Sequence, residues 1–234
     1  MKIPLPKNFE PQKPLKIADY QDIMVTLYCP QIHPLQFNIE QFRDKKIIPS
    51  HWQLVKPILK KNNLLQLIFD SGITINIEVG KISFFSKINQ SIKVFPEIIK
   101  LFLRKYINYN FIRTQISLKR FISLPNGKEN GSKFINEILL NNPNNWSIQG
   151  QKPKKCQVTF GYNFPKSNLI LHINDVQARN NNIRKYGLLF RGIFTYNLPQ
   201  KRNLDRITYL ISIVSNYQNN IKVFNQIINE TFLS

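Results

Sequence analysis

The stretch LLQLIFDSGITINIEV, residues 64–79, decides the fold class of this chain. In its second half, isoleucine and valine alternate with threonine, asparagine and glutamate. That period of two is typical of a half-buried strand. The two apolar runs, residues 64–69 and 73–79, flank an Asp-Ser-Gly sequence, in which Gly72 can adopt the left-handed conformation of a tight turn. The stretch therefore predicts an antiparallel hairpin with one face in a hydrophobic core.

The segments around this hairpin predict the rest of a small α+β unit. Residues 22–28 alternate as a strand, and Asn38 is placed to cap a short helix after it. A third strand follows the hairpin over residues 82–85, and Pro96 begins a helix whose apolar side chains recur every three or four residues. The order strand, helix, three strands, helix is therefore predicted for residues 18–108.

A second unit with the same order is predicted over residues 109–234. Residues 111–124 form its first strand, Ser132 caps a short helix, and residues 158–173 form its hairpin. A loop over residues 177–186 leads to the third strand, and a long helix ends the chain.

The two tryptophans support an internal duplication. Each stands three residues after a proline, in PSHW at residues 49–52 and PNNW at residues 143–146, so they are 94 residues apart. The same shift places strand on strand and hairpin on hairpin. The predicted fold class is α+β, with duplicated strand–helix–three-strand–helix units forming a mainly antiparallel sheet covered by helices. Residues 1–17, with four prolines among lysines, are predicted to be a flexible tail.

The last helix is predicted over about residues 204–232 as one continuous element. Its apolar residues follow steps of three and four, at Ile207, Leu210, Val214, Tyr217, Ile221, Phe224 and Ile228. Such a stripe packs either on the protein's own sheet or in a dimeric coiled coil. Bulky Ile211 and Ile227 widen the stripe, which favours packing on the sheet.

The charge of the chain is strongly positive. It has 33 basic and 13 acidic residues, a net charge of +20. Such an excess attracts nucleic acid, anionic lipid or an acidic protein. However, 28 asparagines, only 2 alanines and abundant lysine are also typical of a drifted AT-rich genome, in which lysine accumulates without selection. Both explanations of the charge stay open.

Basic residues in predicted loops and on exposed faces form the candidate anion-binding site. They are Lys60, Lys61, Lys100, Arg104, Lys105, Arg113, Lys119, Arg120, Lys152, Lys154, Lys155, Arg184, Lys185, Lys201 and Arg202. The pairs Lys60-Lys61 and Lys154-Lys155 are again 94 residues apart, which predicts a symmetric patch. Lysines outnumber arginines by 24 to 9, so any nucleic-acid binding is expected to be weakly sequence-selective.

Catalytic and metal-binding motifs are not evident in the sequence. His33, His51 and His172 are scattered and have no cysteine or carboxylate at ligand spacing. Cys29 and Cys156 form no Cys-x-x-Cys motif, and whether they pair stays open. The sequence also lacks a glycine-rich phosphate loop. We therefore predict no catalytic residues, no metal, no cofactor and no small-molecule substrate.

Five stretches of the chain resemble a family of cyanobacterial proteins of unknown function. They are IPSHWQL at residues 48–54, QLIFDSG at 66–72, FPEI at 95–98, residues 187–197, and IINETFL at 227–233. The resemblance implies a cyanobacterium, a reduced cyanobacterial symbiont or a plastid as the source, and it brings no catalytic motif. Members of that family are less basic and contain more alanine and glutamate, which favours genome drift as the origin of the charge.

We therefore expect a soluble, non-enzymatic protein of the cytoplasm or plastid stroma. Its expected role is protein binding or assembly, with another protein or with itself, through sheet edges or helix contacts. Low-specificity binding of RNA or DNA through the lysine-rich patches is the alternative, and docking on an anionic membrane surface is the third hypothesis. No apolar run in the sequence has the length of a membrane span.

Overall fold

The computed structural model describes residues 20–88, 93–124, 130–140, 157–180, 183–199 and 203–232. Within these ranges the strands are β1 (Tyr20–Tyr28), β2 (Leu59–Lys61), β3 (Leu64–Ile68), β4 (Thr74–Glu78), β5 (Lys81–Lys87), β6 (Arg113–Ser123), β7 (Gln157–Phe164), β8 (Ser167–Asn180) and β9 (Ile183–Asn197). The helices are α1 (Ile39–Asp44), α2 (Val94–Lys105), α3 (Asn130–Lys133), α4 (Asn203–Ser215) and α5 (Tyr217–Ile227). A 3₁₀ turn lies at Pro34–Gln36, and π-helical turns lie at Phe134–Leu139 and Ile228–Phe232.

All the described strands belong to one sheet, in the order β2-β3-β4-β5-β1-β6-β9-β8-β7. Each neighbouring pair in this order is antiparallel. At the centre, β1 pairs with β6 so that Val25 is opposite Ile116 and Ile23 is opposite Leu118. The prediction of an α+β fold with a mainly antiparallel sheet and helices is therefore confirmed.

The hairpin that decides the fold class is formed by β3 and β4. Leu65 is opposite Ile77 in its register, and Gly72 in the turn has a φ of 78°, which a residue with a Cβ rarely adopts. Asn38 caps α1 as predicted, and its side chain and that of Gln41 form a reciprocal capping box.

The helices cover one face of the sheet. Phe102 of α2 packs against Phe84 of β5, with ring centroids 5.6 Å apart. At the other end of the sheet, Phe232 packs against Phe190 of β9 at 5.9 Å. The core therefore lies between the helices and the alternate side chains of the strands that face them.

The apolar stripe of the C-terminal segment also packs on this face, as predicted. Phe224 is fully buried, and its ring lies against Gly192 of β9. The segment is not one continuous helix, however, because it breaks at Asn216 between α4 and α5. Ser212 and Ser215 donate hydrogen bonds back to the carbonyls of Tyr209 and Ile211. Such bonds bend helices, and serine and asparagine are weak helix formers, so the break falls where they cluster.

Three further expectations about the second half are wrong. The predicted loop over residues 177–186 is largely strand, since β8 and β9 pair as far as Asn180 and Ile183. Ser132 is not a helix cap, because α3 begins before it and its hydroxyl donates to the Asp175 carboxylate at 2.6 Å. The first strand of the second unit, predicted from residue 111, begins only at Arg113, and Ile112 before it is 51% exposed.

Trp52 is buried and packs against Phe69, with ring centroids 5.4 Å apart. Trp146 and the predicted tail over residues 1–17 lie outside the described residues. None of the described helices is long and apolar enough to cross a membrane.

Candidate functional site

The candidate site is the face of the sheet that points away from the helices, which we call the open face. Its side chains alternate with the core residues along every strand, because successive residues of a strand point to opposite sides. The strand β6, which lies between β1 and β9, is an example. Its residues Ile116 and Leu118 are fully buried against the helices, whereas the next residue, Lys119, is exposed. No described helix packs on the open face.

Strand register arranges the open face into rows that cross the sheet. One row, which we call the charged row, contains cross-strand neighbours from six adjacent strands. In order from β5 to β7 they are Lys87, Asp22, Lys119, Arg191, His172 and Thr159. Because neighbouring strands lie about 4.8 Å apart, the three basic residues fall within about 14 Å of one another.

The charged row carries more positive than negative charge. Lys119 is directly opposite Arg191, an arrangement of like charges that destabilises a sheet unless something compensates it. Asp22, between Lys87 and Lys119, is the acidic member of the row. Partial burial raises the pKa of the Asp22 carboxyl, and the two flanking lysines oppose that shift. Lys87, Lys119 and Arg191 are all exposed, so the positive charge is accessible.

His172 continues the charged row on β8. Its Nδ1 lies 2.9 Å from the Thr159 hydroxyl and 3.1 Å from the Gln157 side-chain nitrogen. These contacts fix the orientation of the imidazole beside Arg191. The row therefore ends in polar groups rather than in an acidic one.

An apolar row lies next to the charged row, two residues further along each strand. It consists of Phe85, Met24, Ser117, Ile193 and Ile170, which are again cross-strand neighbours. Ile170 is 43% exposed, and Phe85, Met24 and Ile193 are half-buried. The open face thus combines a basic stripe with an adjacent apolar stripe.

A polar row follows on the far side of the apolar row. Thr26 and Ser83 share a hydrogen bond of 2.9 Å, and Gln115 donates to the Thr195 hydroxyl at 3.1 Å. Gln115 also accepts a hydrogen bond from the Tyr28 hydroxyl at 2.6 Å. The members of this row are therefore largely satisfied by each other.

Arg113 adds a second basic position, beyond the polar row. Its guanidinium lies over the Tyr28 ring, 4.1 Å from the centroid. Its Nε–H is buried and has no hydrogen-bond partner among the residues that the structure describes. An unpaired buried donor of this kind costs about 1–3 kcal/mol.

The structure divides the predicted anion-binding residues between two faces. Lys61, Arg113, Lys119 and Lys185 belong to the open face by strand register. The helix-covered side has Lys60, Lys100, Arg104, Lys105 and Arg120. Lys152, Lys154, Lys155, Lys201 and Arg202, and the side chain of Arg184, lie outside what the structure describes. The symmetric patch predicted from Lys60-Lys61 and Lys154-Lys155 stays a prediction, because its second lysine pair is among these undescribed residues.

Some of these residues are occupied by contacts within the protein. Arg120 donates to Asn225 at 3.2 Å and to Asn229 at 2.8 Å, which ties β6 to the C-terminal segment. Lys100 forms an ion pair with Glu97 at 2.8 Å, and Lys60 donates to a backbone carbonyl. Their positions indicate structural roles, in contrast to Lys119.

Sequence reasoning missed three members of the charged row: Lys87, Arg191 and His172. Lys87 lies beyond the predicted end of its strand at residue 85, and Arg191 stands alone between apolar residues rather than in a basic cluster. The signal that identifies them is their position, since each alternates with buried residues such as Phe190 and Ile173. Alternation alone, however, does not tell which strands become neighbours.

A separate cavity of about 560 Å³ lies where α4 meets α5, beside the turn between β7 and β8. Its lining includes Tyr196, Tyr209 and Asn216, and the buried Asn220, whose amide donates to the Tyr196 hydroxyl at 2.7 Å. The cavity is lined by aromatic and amide groups and lies away from the charged row.

Metal-binding and thiol chemistry find little support in the described ranges. Within them, no three His, Cys, Asp or Glu residues lie close enough to hold a metal ion. Cys29 is a buried free cysteine whose thiol pKa is raised by burial, and Cys156 falls in the part of the chain left undescribed.

Comparison with known proteins does not assign the chain to a family. No family model matches the sequence, and no curated protein is significantly similar to it. The resemblance to a family of cyanobacterial proteins therefore stays a prediction.

Proposed function

We propose that this chain is a non-enzymatic nucleic-acid-binding protein whose ligand surface is the open face. The observation that carries the proposal is the charged row, in which Lys119 and Arg191 are exposed and are direct cross-strand neighbours. Like charges so placed repel each other, and a phosphate between them removes that repulsion. The net charge of +20 adds a long-range attraction for the same class of ligand.

The charge of the row sets the expected strength of the salt dependence. Lys87, Lys119 and Arg191 supply three phosphate contacts, and each contact with a single strand adds about −0.7 to the slope of log K against log salt. Three contacts give a slope of about −2, which is an affinity loss of about 18-fold between about 50 and 200 mM salt.

The polar row supports weak sequence selectivity. Its amide and hydroxyl groups are the kind that read base edges, but Gln115 and Thr26 are already hydrogen-bonded to neighbours within the protein. A base that used them would first have to break those bonds. The bound sequence is therefore expected to matter less than the phosphate charge.

Fluorescence anisotropy with a short labelled RNA tests the proposal. Replacing Lys119→Gln together with Arg191→Gln leaves one basic residue in the row, so the affinity should fall and should change only about 2.6-fold over the same salt range. The matched control is Arg104→Gln with Lys105→Gln, which removes the same charge from α2 on the opposite side of the sheet. The control should keep most of the salt slope.

Three results would reject the proposal. RNA that fails to bind at low salt excludes it outright. Equal loss in the charged-row variant and the α2 control means that only total charge matters. Stronger binding to vesicles rich in anionic lipid than to RNA, lost in the charged-row variant, would assign the surface to a membrane instead.

We also propose that residues 18–108 and 109–234 are duplicated units. The strand order supports this, because β3-β4-β5-β1 on one side of the centre corresponds to β7-β8-β9-β6 read from the other edge. The first strand of each unit meets its counterpart in the antiparallel β1–β6 pair. Such an arrangement joins the two open faces into one surface, and the charged row crosses that junction.

Protein binding or self-association through a sheet edge is the second candidate function, and β7 favours it. β7 is eight residues long and contains neither a charged residue nor a proline, the usual protections of an edge strand. The opposite edge, β2, is three residues long and has two lysines. No described strand pairs with the outer side of β7, so it can accept an added strand.

Sedimentation measurements test this second candidate. Gly161→Lys adds a charge to β7, and a Cβ at this position meets no atom within 4 Å, so the fold should be retained. Asn168→Lys adds the same charge to the inner strand β8 and is the control. Self-association that disappears only in the Gly161 variant supports pairing at the edge, and a monomeric wild-type chain excludes self-association there.

A further inference from the structure

We infer that the open face holds a single-stranded nucleic acid, with phosphates along the charged row and bases against the apolar row. This inference rests on the proposed function and specifies its ligand. The two rows are two residues apart along each strand, which is about 6.8 Å, so a nucleotide can contact both. The juxtaposition that carries the inference is the basic stripe of Lys119 and Arg191 beside the apolar stripe of Ile193 and Ile170.

The apolar row argues against a duplex as the preferred ligand. A duplex presents phosphates and sugars outward and keeps the faces of its bases stacked inside. If it lay across the charged row, exposed Ile170 and half-buried Phe85 would contact polar backbone or remain in water. A single strand has free base faces, and covering apolar side chains with them is favourable.

The aromatic residues next to the charged row extend this argument. On its other side, Tyr20 is 37% exposed and is the direct cross-strand neighbour of Phe121, with ring centroids 6.5 Å apart, whereas Phe121 itself is buried. The charged row thus has an apolar or aromatic neighbour on both sides. Sequence-tolerant binding of single strands combines a basic groove with such stacking surfaces.

The weak selectivity argued from the polar row agrees with this ligand. Every base has an apolar face, so contact with Ile193 or Phe85 does not depend on base identity. Binding should therefore depend on strandedness far more than on sequence.

Competition binding separates this inference from the proposed function. A labelled single-stranded RNA is displaced with an unlabelled single strand, a hairpin duplex of equal phosphate number, and inorganic polyphosphate, which has charge but no bases. We expect the single strand to compete at least about tenfold better than the duplex, because each base that stacks on an aromatic side chain such as Phe85 or Tyr20 is worth about 5- to 150-fold.

Variants of the apolar row give the second readout. Ile170→Thr with Ile193→Thr keeps β-branched residues in both strands and should weaken RNA binding about 3- to 10-fold, while polyphosphate binding stays unchanged. Leu204→Ser removes a comparable exposed aliphatic side chain from α4 and is the matched control. Thermal melting of each variant verifies that it is folded.

The outcomes distinguish the two proposals. Equal competition by single strand and duplex, or an apolar-row variant that binds RNA like the wild type, overturns this inference and leaves nucleic-acid binding standing. Equal weakening of RNA and polyphosphate binding in the apolar-row variant also overturns it, since the bases would then contribute nothing. Absence of any binding at low salt overturns both.

Discussion

Substitution of Gly192 tests the packing of the C-terminal helices on the sheet. A Cβ at Gly192 would lie 2.6 Å from Cδ2 and 2.8 Å from Cε2 of Phe224, and 3.3 Å from Cδ1 of Leu169. Carbon atoms in good contact are about 3.5–4.0 Å apart, so the Phe224 ring would have to move by about 1 Å. Phe224 is fully buried, which leaves the ring no solvent to move into.

The expected cost of Gly192→Ala follows from this overlap. Overpacking a filled core by one methyl group costs about 1–3 kcal/mol in the free energy of unfolding. In a chain of this size each kcal/mol lowers the melting temperature by about 2–4 °C. Urea denaturation and thermal melting measure both quantities. The matched control is Gly161→Ala in β7, where a Cβ meets nothing within 4 Å and the change should stay within about 0.5 kcal/mol.

A double-mutant cycle identifies the source of the cost. Phe224→Leu removes the ring atoms that the new methyl group would meet, so the combination with Gly192→Ala should be less destabilising than the two single changes added together. The coupling should be at least about 1 kcal/mol. Additive effects, or a Gly192→Ala variant as stable as Gly161→Ala, would refute the packing of α5 on β9. A melting temperature that rose with protein concentration would indicate self-association, through either a coiled coil or the β7 edge.

Three further changes test other parts of the structure. Because burial raises the pKa of the Asp22 carboxyl, its ionised form costs stability at neutral pH, and that stability is regained as the pH falls through the raised pKa toward the ordinary value of 3.8. Asp22→Asn should therefore unfold at a higher urea concentration than the wild type at pH 7, and the difference in stability should disappear near the ordinary pKa. The variant should also bind RNA more tightly, because the row loses its negative charge. Weaker RNA binding would contradict the assignment of the charged row. Arg120→Gln should lower the free energy of unfolding by about 1–3 kcal/mol, because the hydrogen bonds to Asn225 and Asn229 are lost. The RNA affinity should stay within about twofold of the wild type. A larger drop in affinity would place Arg120 in the site. Asn38→Ala should cost about 1 kcal/mol in urea denaturation by removing the capping box of α1, whereas an unchanged midpoint would mean that the cap is not formed in solution.

The parts of the fold that could be predicted are those with local signals. The hairpin at Gly72 combines two alternating apolar runs with a residue suited to positive φ, and both features lie within one short stretch. The cap of α1 depends likewise on Asn38 and Gln41, which are three residues apart. Such signals are readable from one sequence because the interactions are close along the chain.

The parts that could not be predicted depend on distant partners or on polar segments. The extensions of β8 and β9 carry polar residues, so no apolar alternation marks them, and the strands are held by pairing with each other. Ser132 has the composition of a cap, but its partner Asp175 lies 43 residues away in β8. In both the β8–β9 extension and the Ser132 hydroxyl, contacts between distant parts of the chain therefore determined the structure.

The charged row lies beyond local reasoning for the same reason. Lys87, Lys119 and Arg191 become neighbours only through the registers of β1 with β5 and β6, and of β6 with β9. The sequence analysis counted Arg113, Lys119 and the adjacent Arg120 together as candidate anion-binding residues. The structure places Arg120 on the helix-covered side, one residue out of phase.

The same phase relation links the proposed site to the core. Ile116 and Leu118 must face the helices to be buried, and this requires Lys119 to face away. Slipping β6 by one residue would expose Leu118 and bring Lys119 into the core, where an unpaired charge costs several kcal/mol. Stability of the core therefore fixes the register of the charged row, although the row itself contributes little to stability. For that reason Lys119→Gln should reduce RNA binding without lowering the melting temperature, whereas a one-residue insertion in β6 should abolish both folding and binding.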